Sequence, residues 1–237
     1  MRPAAAVYTK ELKSQFHSLT AYVFTVVFLM TANWLFFQHF FAINQASMRA
    51  WFDLLPWYLL LLVPAVAMRT WAEEKRQGTV EILLTLPIAE WQVVLAKFAA
   101  NLTFLGVALA FSLTVPLSIA QLGDLDWGPV VGGYLGGWLL GGAMLALGQW
   151  ISSLTNNQIV AFLVTIAASF VLIIIGLSFT LMAAGPLAAA LLRMSTYTHF
   201  QSIAKGVIDL RDLVYFVSFI GLFLYLNVYV LVRRHWR

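Results

Sequence analysis

The sequence predicts an all-α polytopic membrane protein built from six transmembrane helices. Three observations lead there. Of 237 residues, 62% are hydrophobic and only 10% are charged. The mean hydropathy is +0.86. Apolar runs long enough to cross a bilayer, roughly 20 residues each, recur from end to end. Water-soluble domains carry about 25% charged residues, so this chain cannot cover a surface facing water. No stretch between the runs could hold a soluble domain, and one membrane domain over 1–237 is expected.

The elements follow in order. The opening segment "AAAVYTKELKSQFHSLT" is too polar to span. Val7, Leu12, Phe16 and Leu19 fall near one helical face, with Lys10, Lys13 and His17 elsewhere, which predicts an amphipathic helix over 4–19 lying on the membrane surface. It lacks the short apolar core and small-residue cleavage site of a removable signal peptide. Span 1 is expected at 20–43, with His39 near its outer end as a packing residue. Span 2 is expected at 54–70 and carries Pro56 and Pro64, which should bend it.

Residues 72–91, "AEEKRQGTVEILLTLPIAEW", form the one crowded charged stretch. Gly78 can end the helix descending from span 2. "TVEILLTL" then makes a two-turn helix with Val80, Leu83 and Leu84 on one apolar face and Glu81 elsewhere. Pro87 closes that helix and can open span 3, with Glu90 complementing the dipole of its first turn. A short exposed helix with an apolar face calls for a protein groove.

Span 3 is expected at 92–120, span 4 at 129–152 and span 5 at 157–184. Span 4 repeats glycine at Gly133, Gly137 and Gly141, a small-residue face that admits another helix closely. Packing within the chain is the expected use, ahead of a subunit interface. The connection 185–211 is apolar and broken, predicting short interfacial helices. Asp209 and Asp212 then form the N-cap and first-turn acid that start span 6 at 212–232.

Six spans put both termini on one side. With the termini inside, Arg2, Lys10, Lys13, Arg69, Lys75, Arg76, Lys97, Arg233, Arg234 and Arg237 are inside, and Arg49, Arg193, Lys205 and Arg211 are outside. That bias predicts cytoplasmic termini and a cytoplasmic 72–91 in a bacterial inner membrane. The loop "GDLDWG", acidic without a base, suits the outside.

Composition also excludes chemistry. No Asp, Glu, Lys or Arg is expected near mid-membrane, and Arg69 and Lys97 should snorkel from span ends. That disfavours an ion-coupled carrier. There is no cysteine, the four histidines have no metal-ligand spacing, and no carboxylate pair or serine–histidine set converges in a span. No phosphate loop of the G-x-x-x-x-G-K-[ST] type is present. The excess of four positive charges reads as a topology signal, with no nucleic-acid partner implied.

The stretch "RTWAEEKRQGTVEILLTLPIAEWQVVLAKF" (69–98) resembles the loop between helices two and three of ABC-2 type permeases, the membrane subunits of ATP-binding-cassette exporters. "FHSLTAYVF", "SSLTNNQIVAF" and "THFQSIAKGVIDLRDLVYF" extend the resemblance over almost the whole chain, toward the gliding-motility-associated permeases. It departs at Ala89, where relatives often carry a polar cap. The resemblance implies a non-catalytic chain served by two copies of a separate ATPase that binds ATP and magnesium. It implies a second permease, either a copy of this chain or a related subunit with a periplasmic domain, with the second and fifth spans at the seam. In that scheme Glu73, Glu74, Lys75 and Arg76 would pair with charges at the rim of an ATPase groove. Gly78 and Thr79 would form the turn, and Val80, Leu83 and Leu84 would fill the groove. His199, Gln201, Ser202, Gly206, Asp209, Arg211 and Asp212 would belong to an outer gate or a dock for a periplasmic partner. Two readings are open: an exporter subunit, or a mechanotransmission subunit that moves no cargo.

Overall fold

The computed structural model describes residues 3–43, 45–80, 88–182 and 192–235. Among them are ten helices of seven residues or more and no strand. We number them α1 Pro3–Phe16, α2 Leu19–Ile43, α3 Arg49–Ala67, α4 Arg69–Arg76, α5 Glu90–Phe111, α6 Thr114–Ala120, α7 Trp127–Leu154, α8 Gln158–Met182, α9 Thr196–Ala204 and α10 Leu210–His235. Six runs are long and apolar enough to cross a membrane: Leu19–Phe41, Arg49–Arg76, Glu90–Ala120, Trp127–Leu154, Gln158–Leu177 and Leu210–Arg233.

Spans 2 and 4 form the interior, with 72% of each buried against 28% for spans 1 and 5 and 17% for span 6. The glycines of span 4 explain its central place. A Cβ at Gly133 would meet the Phe52 ring at 2.5 Å, and one at Gly137 would meet Leu55 at 2.5 Å, so α3 approaches along that face. Gly141 is pressed by Leu105 of span 3 in the same way. On a second face, a Cβ at Gly132 would lie 2.3 Å from the Ile203 carbonyl of α9. The small-residue stripe is thus used inside this chain. Span 2 is likewise mostly covered by its own chain, so it offers a partner subunit less surface than span 5.

Two span boundaries differ from the sequence reading. Span 2 starts at Arg49, ahead of residue 54, because Trp51 and Phe52 are buried against Tyr134 of span 4. The charges of Arg49 and Asp53 hide that first turn from hydropathy. Span 3 is not continuous: α5 ends at Phe111 and α6 begins at Thr114. Pro116 has no N–H for the Ser112 carbonyl, which accepts from Val115 N at 3.0 Å instead. Ser112 Oγ turns to the Leu109 carbonyl at 2.6 Å and to Tyr134 Oη at 3.0 Å.

The 28-residue run of span 2 would extend about 42 Å at 1.5 Å per residue, against about 30 Å of hydrocarbon. The surplus is about the length of α4, an arm that packs against span 4 at the end of the bundle that carries the termini. That end is called the base below.

Candidate functional site

The base is built from α1, the α4 arm and the ends of spans 3 and 4. Trp71 and Ala72, in the first turn of α4, are fully buried. Their amides both donate to Ser152 Oγ at 3.1 Å, and Ser152 Oγ in turn donates to the Met68 carbonyl at 2.9 Å. One hydroxyl of span 4 therefore satisfies the backbone where the helix is interrupted. Lys75 Nζ donates to the Ser153 carbonyl beside it. The arm is fastened to span 4 at two points one helical turn apart.

Its other side meets Lys97. This side chain is 1% exposed, deep against the arm. Its Nζ lies 2.8 Å from Glu11 Oε1, 2.9 Å from Glu74 Oε1 and 3.1 Å from the Thr70 carbonyl, over the face of Trp71 at 4.9 Å. Lys10 adds a more exposed contact to Glu74 at 3.4 Å. Asn101, one turn along span 3, donates to Thr70 Oγ1 at 2.9 Å and accepts from Gln15 at 2.8 Å. Tyr8 reaches Thr103 at 3.1 Å, and Phe16 packs edge-on against Phe104 at 5.4 Å. So α1 is held by span 3 through a partly polar face, and a single buried cation joins α1, α4 and span 3.

Several sequence expectations change here. Lys97 does not snorkel, because two carboxylates supply inside the protein what the interface would have supplied. Glu74, expected at a rim for partner charges, is turned inward by Lys97. Lys75 is occupied by span 4. Glu73 and Arg76 remain outward and pair with each other at 3.3 Å, with Gln77 also on Glu73 at 2.5 Å. Gly78 has φ +69°, the left-handed conformation expected of a glycine turn. Thr79 folds back so that its hydroxyl donates to the Glu74 carbonyl at 3.3 Å. Val80, expected on the open apolar face, is buried. Glu81, Leu83, Leu84 and Pro87 lie outside the described residues. Ala89 is the N-cap of span 3 and gives it no side-chain bond.

At the far end, α9 and the start of span 6 bring the other predicted group together. His199 Nδ1 lies 2.6 Å from Asp212 Oδ1, and Nε2 lies 3.0 Å from the Arg193 carbonyl oxygen. The ring stacks on Tyr215 at 4.0 Å. Asp209 caps span 6 by accepting from the Arg211 amide at 3.0 Å. Asp212 serves as more than a first-turn acid: it is buried and anchors α9. Gln201 donates to Tyr197 Oη at 2.7 Å. Burial lifts the Tyr197 phenol above its usual range, the Asp53 carboxylate adds to this, and the Gln201 bond opposes it. Gly206 has φ +88° and lets the chain pass Gly128 and Pro129 closely. Ser202 is half-buried, and Arg211 is exposed.

Glu11, Asn101 and Ser152 had no role in the sequence reading of the site, and Lys97 figured there only as a snorkelling residue. Among the described residues no group of three His, Cys, Asp or Glu could hold a metal. A family model described as "ABC-2 family transporter protein" matches residues 5–231, nearly the whole chain. No curated protein matches the chain.

Proposed function

We propose that this chain, which belongs to the ABC-2 family of transporter proteins, is an exporter permease through which a separate ATPase drives conformational change. Residues 72–91 are the coupling segment, on the cytoplasmic side of a bacterial inner membrane with both termini. The observation that carries this reading is the fastening of the α4 arm. A push on the segment beyond Gly78 meets an arm bonded to span 4 through Ser152 and Ser153 and to span 3 and α1 through Lys97. A loose loop would dissipate that push. This arm delivers it to the two buried spans. The working unit has two ATPases and two permease chains, the second a copy of this one or a related subunit with a periplasmic domain.

A second reading keeps the coupling and drops the cargo: the motion passes to a partner outside. The likeness to gliding-motility-associated permeases such as GldF supports it. So does the exposed apolar patch of Val207, Ile208 and Leu210 beside α9.

The chain is free of cysteine, so paired spin labels can be placed at will. With labels at Leu122 and Val207 on the far end, the distance between them should change when the partner ATPase binds nucleotide. In Ser152→Val it should stay fixed. A distance that ignores nucleotide in the unaltered complex would end the coupling reading. Flux of labelled lipid or peptide in proteoliposomes separates export from motion alone.

A further inference from the structure

Between α1 and the α4 arm lies a cavity of about 370 Å³, lined by Lys10, Glu11, Arg69, Thr70, Glu73 and Glu74 among others. It is more than ten times the roughly 30 Å³ that one water occupies. The network at the base does not account for it. Arg69 is half-buried, and its described hydrogen bond is to Ser18 through one nitrogen of the guanidinium. Glu73 uses Oε1 for Gln77 and Arg76, both within its own helix. Glu74 gives Oε1 to Lys97 and Lys10, while its Oε2 is buried and accepts no hydrogen bond among the described residues.

The charges decide what such a cavity would hold. Lys10 and Arg69 stand against Glu11, Glu73 and Glu74, with Lys97 behind the wall and Arg76 on Glu73. A simple anion would meet three carboxylates, and a simple cation would meet Arg69 and Lys10. A ligand with both signs meets neither penalty. We propose that this cavity binds one phospholipid headgroup carrying both a phosphate and a primary ammonium. The phosphate lies against Arg69 and Lys10, and the ammonium lies against Glu73 and Glu74.

Arg69 suits the first role because its planar fork presents paired donors to phosphate oxygens. A primary ammonium suits the second because it donates up to three hydrogen bonds, reaching Glu73 and, after a small turn of the carboxylate, the unfilled Oε2 of Glu74. A trimethylated amine has no N–H to give. Location favours a lipid over a soluble phosphoamine. The site sits where span 2 leaves the hydrocarbon, under α1, the helix whose sequence pattern suits the membrane surface. A headgroup here would wedge α1 against the arm and fix the distance between them.

Native mass spectrometry of the full chain tests this, with phosphatidylethanolamine, phosphatidylcholine and phosphatidylglycerol of identical acyl chains supplied together. We expect one phosphatidylethanolamine retained in preference to both others. Glu73→Gln should lower that retention about tenfold, the scale of one charge-assisted hydrogen bond. The described hydrogen bonds of Glu73 go to Arg76 and Gln77, close by in sequence, so the variant should fold; a thermal transition matching the parent verifies that. Arg69→Gln should lower retention of the ethanolamine lipid similarly. Equal retention of the choline lipid overturns the ammonium site, and preference for the glycerol lipid reduces the cavity to a basic patch. Soluble phosphoethanolamine that raises the thermal transition when the lipid does not would overturn the membrane source. None of these measurements needs the ATPase, so failure here leaves the coupling reading standing.

Discussion

Lys97 Nζ, on span 3, stands 2.9 Å from Glu74 Oε1 on the α4 arm, with 1% of the lysine side chain exposed. A buried cation of this kind gains its attraction only after losing its water, so the pair is worth less as net stability than as geometry. Removing one partner is another matter, because the survivor keeps its desolvation and loses its counter-charge.

Lys97→Met should therefore be among the most damaging single changes at the base. It leaves Glu11 and Glu74 facing each other with the more exposed Lys10 as their remaining cation, at 3.9 and 3.4 Å. The cost should be about 3–5 kcal/mol, read as a lowered thermal transition in detergent. Adding Glu11→Gln and Glu74→Gln should return much of it, since the charge then left without partners, Lys10, is exposed to water. A triple variant no more stable than Lys97→Met would show that packing of the lysine stem, and not charge, is what matters there.

The glycines of span 4 predict a sharp contrast. Gly132→Ala places a methyl group 2.3 Å from the Ile203 carbonyl, a backbone atom that cannot swing aside. It should displace α9 and cost about 1–3 kcal/mol. Gly221→Ala, in span 6, meets nothing within 4 Å. It should be neutral or stabilise by up to about 1 kcal/mol through helix propensity. Gel-filtration monodispersity and thermal transition of the two variants give the comparison. Equal behaviour would deny that α9 is docked on Gly132.

At the far end, Asp212→Asn removes the charge that holds His199 at 2.6 Å. The spans should be untouched, but α9 should open more often. Trypsin added from outside should then cut at Lys205, which is already exposed at the end of α9, several times faster than in the parent. An unchanged rate would mean that the Tyr215 stack and the glycine contacts hold α9 alone.

Six spans were legible because each is a long apolar run, and the glycine stripe was legible because its period matches a helix face. Gly78 was legible too, since a glycine between a polar run and the apolar stretch "TVEILLTL" marks a turn. What stayed hidden depends on contacts distant along the chain. Lys97 sits amid apolar residues at a span end, where snorkelling is the ordinary outcome. Only the return of α1 onto span 3 brings Glu11 to it. Val80 matches Leu83 and Leu84 in pattern, yet it is buried. The break in span 3 had a visible cause in Pro116, masked because the apolar run continues past it. Asp212 looked complete as a helix-start residue, and nothing local announces His199 as its partner.

The turn at Gly78 separates the fastened arm from the segment proposed to enter the ATPase groove, so the two halves can be tested against each other. Gly78→Val has room for its side chain, with nothing within 4 Å of a Cβ, but φ +69° is costly for a β-branched residue. The cost, about 1–2 kcal/mol or more, should fall on the turn and leave Lys97 and Ser152 in place. Leu83→Asp with Leu84→Asp acts beyond the turn. If both leucines fill a groove, each contributes roughly 1.5–3 kcal/mol to the interface. The double variant should therefore lose the ATPase in a pull-down from membranes with matched expression. Glu73→Gln should keep it, because an exposed pair with Arg76 is worth under about 1 kcal/mol. Gly78→Val should fall between, retaining some ATPase while ATP-driven motion at the far end shrinks. Normal ATPase recovery with the double aspartate would remove residues 79–86 from the interface, and the fastened arm would then need another point of attack.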